Sequence, residues 1–184
     1  MASDEEIKWI KIGVIVSIFF NLLNFGYTYY ENSIEKEKNL PLPTLNGKAE
    51  CKQWTSRIFH QYPEYNFSVD KNNDYYADIF SLKVQDATAK KPTIKVEIPK
   101  EINISDVKSF PKNTLSIENH AIIAKWEEIS IENNQNLVIL YDIKYKNALV
   151  TGGRTYSFQA DNSPKKISNV LTCEDKWDYF DGFK

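Results

Sequence analysis

Residues 137–145 read Leu-Val-Ile-Leu-Tyr-Asp-Ile-Lys-Tyr. Leu137, Ile139, Tyr141, Ile143 and Tyr145 fall on one parity, and a period of two marks a strand. The same period recurs on both sides. Phe80, Leu82 and Val84 alternate with Ile79, Ser81 and Lys83; Ile94, Val96 and Ile98 alternate with Thr93, Lys95 and Glu97. Leu115 and Ile117 flank Ser116, and Ile122, Ala124 and Trp126 share a face. Ile129 and Ile131 take the opposite parity, which a bulge near Glu127-Glu128 would reconcile. Tyr156 and Phe158, then Val170 and Thr172 or their odd-numbered neighbours, complete the series. Turn-forming clusters at 71–74, 132–136, 146–147 and 161–164 separate these runs.

The pattern implies about seven or eight mainly antiparallel strands, in a β-sandwich or a partly closed barrel. A barrel spanning a bilayer is disfavoured, because Lys83, Lys95, Glu97 and Asp142 interrupt the apolar bands it needs. Upstream the period changes. Cys51, Trp54, Ile58, Phe59 and Tyr62 follow the spacing of one helix face, and Pro63 ends it. The fold class expected is therefore mainly β, with one short helix before the strands and one transmembrane helix at the N-terminus.

That N-terminal helix is read from residues 12–30, IGVIVSIFFNLLNFGYTYY, 19 residues without a charge. They make about 28 Å of helix at 1.5 Å per residue, against a hydrocarbon core of about 30 Å. Trp9 and the tyrosines Tyr27, Tyr29 and Tyr30 suit the two interfaces. No small-residue cleavage pattern follows Phe25, which disfavours a removed signal peptide. The run is apolar around most of its circumference, which disfavours an amphipathic core helix. An uncleaved signal anchor is the reading that remains. Asn21 and Asn24, with Ser17 and Thr28, lie near one stripe and are candidates for pairing with another membrane helix, of another envelope protein or of a second copy of the chain, since lipid offers an amide no partner.

The organisation that follows is a cytoplasmic tail at 1–11, the signal anchor at 12–30, a juxtamembrane linker at 31–48 stiffened by Pro41 and Pro43, and a β-rich soluble domain at 49–184. Lysines flank the anchor almost evenly, so orientation rests on the short N-terminal tail and on the cysteines. Cys51 and Cys173 bracket the domain. Outside the cytosol they can form one bridge, worth about 4–5 kcal/mol in the chain-entropy model. They form no CxxC motif and offer no second pair for zinc.

Composition narrows the function classes. The 184 residues carry 23 Lys+Arg against 25 Asp+Glu, so no general basic field exists for nucleic acid. An aromatic share of 14% argues against disorder. The chain is rich in Lys, Ile and Asn with only two Arg, a bias that fits an AT-rich bacterial or phage-like genome. "Outside" then means a periplasm or cell surface, beyond an inner membrane.

Catalytic and cofactor motifs are absent: no GxGxxG, P-loop, HExxH or GxSxG occurs. His60 and His120 lack the companions of a metal site. Asp70, Asn72 and Asp74 imitate half a calcium loop, but Tyr75 and Ser81 stand where Gly and Glu are required. Gly152-Gly153-Arg154 is too short to cradle a phosphate and suits a turn or bulge. Paired acids such as Glu127-Glu128 carry no signal without geometry. No enzyme activity, cofactor or metal is expected.

Two binding features remain. In the C-terminal tail Trp177, Tyr179 and Phe180 interleave with Asp175, Asp178 and Asp181, an arrangement suited to anchoring a protein partner. Tyr141, Tyr145, Arg154 and Tyr156 are candidates to line a small-molecule pocket. The expectation is a single-pass membrane-anchored interaction protein within an envelope assembly such as a secretion or transport complex. The alternative is a tethered ligand-binding sensor. A pocket with Arg154 pointing into it would favour the sensor, and a filled interior would disfavour it.

Overall fold

The computed structural model describes residues 17–31, 41–131 and 133–183. The chain divides into two compact units, Met1–Pro41 and Leu42–Lys184. In the first, residues 17–31 form helix α1 and are exposed throughout. Asn21 and Asn24 lie on it, and the Thr28 hydroxyl donates to the Asn24 carbonyl at 2.8 Å. Among the described residues no helix is long and apolar enough to cross a membrane; residues 12–16 of the expected span lie outside them.

The second unit holds twelve strands: β1 (Thr44–Trp54), β2 (Tyr75–Gln85), β3 (Ala89–Lys90), β4 (Thr93–Glu97), β5 (Ile104–Phe110), β6 (Thr114–Glu118), β7 (Ala121–Lys125), β8 (Glu128–Ile129), β9 (Asn134–Asp142), β10 (Arg154–Gln159), β11 (Ile167–Leu171) and β12 (Asp178–Tyr179). Helices α2 (Ser56–Gln61) and α3 (Lys146–Thr151) are one to two turns each. One sheet runs β12-β1-β2-β9-β5, a second β11-β10-β4-β7-β6, and β3 pairs with β8 apart from both. The pairings are antiparallel except β1 with β12, which is parallel. The sheets are open, so no closed barrel forms.

The two sheets share one core. Phe80, Leu82 and Val84 of β2 and Leu137, Ile139 and Tyr141 of β9 meet Ile94 and Val96 of β4, Ile122 of β7, and Tyr156 and Phe158 of β10. In these strands the inward parities are those the sequence alternation implies, whereas β11 buries Leu171 and exposes Val170, and Ile117 of β6 is exposed. Side chains of opposite parity on the first sheet are buried too. Ala77, Ile79, Val138 and Leu140 join Trp54, Ile58, Phe59, Phe67 and Phe180 in a second cluster beneath α2 and the C-terminal segment. The continuous apolar run 137–141 therefore belongs to a strand covered on both faces.

Gly47 of β1 lies directly against Phe158 of the opposite sheet. A Cβ there would sit 2.1 Å from the Phe158 ring. Gly47→Ala is therefore expected to cost about 1–3 kcal/mol by overpacking. Combined with Phe158→Leu the loss should fall below the sum of the two single losses, a coupling that thermal unfolding of the four chains measures.

Several elements differ from the sequence reading. The helix expected from Cys51 begins only at Ser56, because β1 runs through Trp54 and pairs residue by residue with β2. Thr44–Lys48, expected as linker, is already strand. The run from Leu137 ends at Asp142, whose carboxylate accepts from the Lys144 N–H at 2.9 Å and starts a 3-10 turn over Ile143–Tyr145. Lys146-Asn147 opens α3 and is not a turn between strands. Ile129 is not carried on a bulge of β7; the chain leaves that sheet and forms β8 against β3. Strand β5 has no clean period because its register shifts between Ile104 and Asp106.

Candidate functional site

The densest polar arrangement in the second unit lies inside it. Asp78 projects from β2 on the parity of Phe80 and Leu82, so the fold carries a carboxylate into the core. Arg154 opens β10 in the opposite sheet and reaches across. Both side chains are 0% exposed. Arg154 Nε donates to Asp78 Oδ2 at 2.8 Å and Nη2 to Oδ1 at 2.9 Å, a two-pronged pair. Nη1 donates to the Leu149 carbonyl at 2.5 Å and the Gly152 carbonyl at 2.6 Å. Nη2 also lies against Cys173 Sγ and 3.4 Å from Cys51 Sγ. Tyr141 of β9 donates its hydroxyl to Asp78 Oδ2 at 2.9 Å.

Cys51 of β1 and Cys173, two residues past β11, are joined in a disulfide with their Cα atoms 5.7 Å apart. The bridge expected from sequence is present. Cys51, Asp78 and Cys173 bring three ligand-type atoms within 4.8 Å of one another. The sulfurs are bonded to each other and a guanidinium stands against them, so this donor set does not suit a metal ion. Its structural action is to tie β1, β2 and β9 of one sheet to β10 and the end of β11 of the other.

Burial pushes the Asp78 carboxyl above the ordinary carboxylate range, while Arg154 and the Tyr141 hydroxyl pull against that rise. Burial, reinforced by the Asp78 charge, holds the Tyr141 phenol well above its ordinary value near 10. Folding thus favours the neutral phenol. Its contribution to stability is complete below the unfolded value and is lost as pH rises toward the folded one. Tyr141→Phe should flatten the decline in stability above pH 10, read from urea midpoints at pH 8 through 11. An unchanged alkaline slope would place its origin elsewhere.

The four residues proposed to line a pocket divide. Tyr141 and Arg154 meet through Asp78. Tyr156 is buried beside Phe80 and Phe158, with ring centroids 5.3 and 5.4 Å away. Tyr145 is half-buried on the 3-10 turn, packed against the edge of the core and accepting from Asn103 Nδ2 at 2.8 Å. All five N–H groups of Arg154 point at protein acceptors, so none remains for a ligand. Four surface hollows stand out; Arg154, Tyr141 and Tyr145 line none of them, and Tyr156 borders one of about 80 Å³.

The aromatic tail folds onto its own domain. Phe180 is 5% exposed and stacks on Trp54 at 4.3 Å and 17°. Trp177 is half-buried against Tyr76, centroids 4.3 Å apart. Tyr179 alone of the three faces outward, 65% exposed. The calcium-like run is an Asx turn, with Asp70 Oδ1 accepting from the Asn72 N–H at 3.0 Å. Sequence reasoning overlooked Asp78. Its signal was an acid on the core-facing parity of an apolar strand, in a chain with only two arginines to neutralise it.

Set against known proteins, the chain matches no family model and no curated protein.

Proposed function

We propose that this chain is a single-pass membrane-anchored interaction protein, with residues 12–30 as the anchor and the two-sheet domain presented to partners in a cell-envelope assembly such as a secretion or transport complex. The observation that carries the reading is the surface of α1. Ile18, Phe19, Phe20, Leu22, Leu23 and Phe25 are between 53% and 72% exposed. Apolar area costs about 25 cal/mol per Å² in water, and a lipid bilayer removes that cost from every side of a helix at once. Asn21 and Asn24 then serve as the contact to a second membrane helix, of another envelope protein or another copy.

Two features of the domain agree with this reading. The disulfide suits an oxidising compartment, which supports a domain on the periplasmic or outer side of the inner membrane. The donors of Arg154 are engaged by protein acceptors and leave this residue none for a ligand, which favours an interaction role over a sensor built on Arg154. Tyr179 offers an exposed aromatic ring to a partner.

The test is fractionation of the full chain from a bacterial host. It should stay with membranes through an alkaline carbonate wash, and a variant with Ile18, Phe19, Phe20, Leu22 and Leu23 all replaced by Ser should be released. Release of the unaltered chain, monodisperse without detergent, overturns the anchor. An impermeant maleimide should label Asn72→Cys in intact spheroplasts. Labelling only after lysis overturns the proposed side.

A further inference from the structure

The disulfide is not symmetric. Cys173 is 6% exposed, whereas Cys51 is half-buried on β1, next to the sheet edge that only the two residues of β12 cover. Arg154 Nη2 lies against Cys173 Sγ and stands farther from Cys51 Sγ, at 3.4 Å. A neutral disulfide gains little from a guanidinium, but a thiolate gains a charge-assisted hydrogen bond. Besides its pair with Asp78, whose Oδ1 lies 3.8 Å from Cys173 Sγ, the cation therefore stands where it can also receive a thiolate formed when the bridge is cut, and it stands nearer one of the two ends. Exchange is fastest when the attacked sulfur is reachable and the departing one leaves as a stabilised thiolate. Both conditions select attack at Cys51 and departure of Cys173.

We propose that Cys51–Cys173 is a thiol–disulfide exchange site, entered at Cys51 by an external dithiol, and that its opening releases the C-terminal strap 174–183. One thiolate of the dithiol attacks Cys51 Sγ. A mixed disulfide forms there as the bond between the protein sulfurs breaks, and the electron pair leaves on Cys173 Sγ beside Arg154. The second thiolate of the dithiol attacks the dithiol sulfur of that mixed disulfide and expels Cys51. The dithiol is oxidised to its own disulfide, the bridge is reduced to two thiols, and the two protons the dithiol gives up are taken by the two protein sulfurs.

Among the described residues the bridge is the covalent hold nearest the strap. The rest are noncovalent: a two-residue pairing with β1, the Phe180 N–H donating to the Gln53 carbonyl at 3.1 Å, Phe180 stacked on Trp54, Phe183 against Tyr65 and Phe110, Trp177 against Tyr76, and ion pairs of Asp175 with Lys146 at 2.8 Å and Asp178 with Lys52 at 3.9 Å. The Tyr62 hydroxyl donates to the Asp181 carbonyl at a long 3.4 Å. Freed at Cys173, the strap uncovers the Lys52-Gln53 edge of β1 and one face of Trp54. An uncovered strand edge is a ready template for pairing with another chain. The exchange site stands on this geometry alone, whatever partner the domain has.

The test uses the full chain in detergent micelles without denaturant. Reduced glutathione, a monothiol, should be trapped on Cys51, with Cys173 recovered as the alkylated thiol in peptide mass mapping. Dithiothreitol should then reduce the bridge completely and raise chymotrypsin cleavage after Trp177 or Phe180 by about tenfold or more, as the open population grows. The strands between 75 and 142 should stay uncut. Glutathione on Cys173, or evenly on both sulfurs, overturns the assignment. So does a bridge that resists dithiothreitol until denaturant is added, or a strap that stays as resistant after reduction as before.

Discussion

Arg154→Met is expected to lower the stability of the full chain by about 3–5 kcal/mol, the cost of leaving a buried charge without its partner. The loss has several parts. Asp78 keeps only the Tyr141 hydroxyl, and the carbonyls of Leu149 and Gly152 lose their shared donor. The deficit should depend on pH in a definite direction. The folded Asp78 carboxyl is already raised by burial, and removing the cation raises it further. A raised acid lends its stability below the unfolded value and loses it as pH climbs through the folded one. The variant should therefore be closest to the unaltered chain near pH 4 and fall behind toward neutrality. Replacing both partners, as Asp78→Leu with Arg154→Met, should recover part of the loss, because no charge is then stranded. Recovery stays incomplete, since Tyr141 and the two carbonyls still lack partners. Urea midpoints of the four chains at pH 4 and pH 7 decide the matter. A single-variant loss under about 1 kcal/mol would mean that water reaches the node.

Trp54→Ala is expected to cost a comparable amount, about 3–5 kcal/mol. Trp54 is 0% exposed, and its ring meets Phe59, Tyr65, Phe67 and Phe180 at centroid distances from 4.3 to 6.0 Å. Its indole N–H has no hydrogen-bond partner among the described residues. What the side chain supplies is area and ring geometry, not a polar contact. Trp54→Phe keeps a ring and drops the orphaned donor, so it should cost much less. Calorimetry of the two variants separates the readings. Equal losses would show that the site requires the indole itself.

The legible part of the fold follows from a solvent contrast. Strands of the second sheet face water on one side, so Ile94 and Val96 alternate with Lys95 and Glu97 and the period is plain. Strands of the first sheet are covered on both sides over half their length, and there the pattern blurs. Val138 and Leu140 serve one core while Leu137 and Ile139 serve the other. The end of β1 was hidden for the same reason. Cys51 points into one core and Trp54 into the second, and their three-residue spacing imitates a helical face. Strand β5 was hidden by its register shift. The cysteine pairing was legible because only two cysteines exist. The charged node was half legible: Arg154 drew attention as a lone arginine after two glycines, whereas Asp78 looked like one acid among many until its parity was compared with that of its neighbours.

The long pairing of β1 with β2 bears on how the domain resists force, as the proposed anchor would require. A pull on Thr44 directed along β1 acts on a ladder of eleven matched residues. Hydrogen bonds strained in that direction share the force together, where a strand peeled from its end would give them up one at a time. Should the strand begin to slide, it travels only as far as Cys51, where a covalent link passes the pull to the opposite sheet.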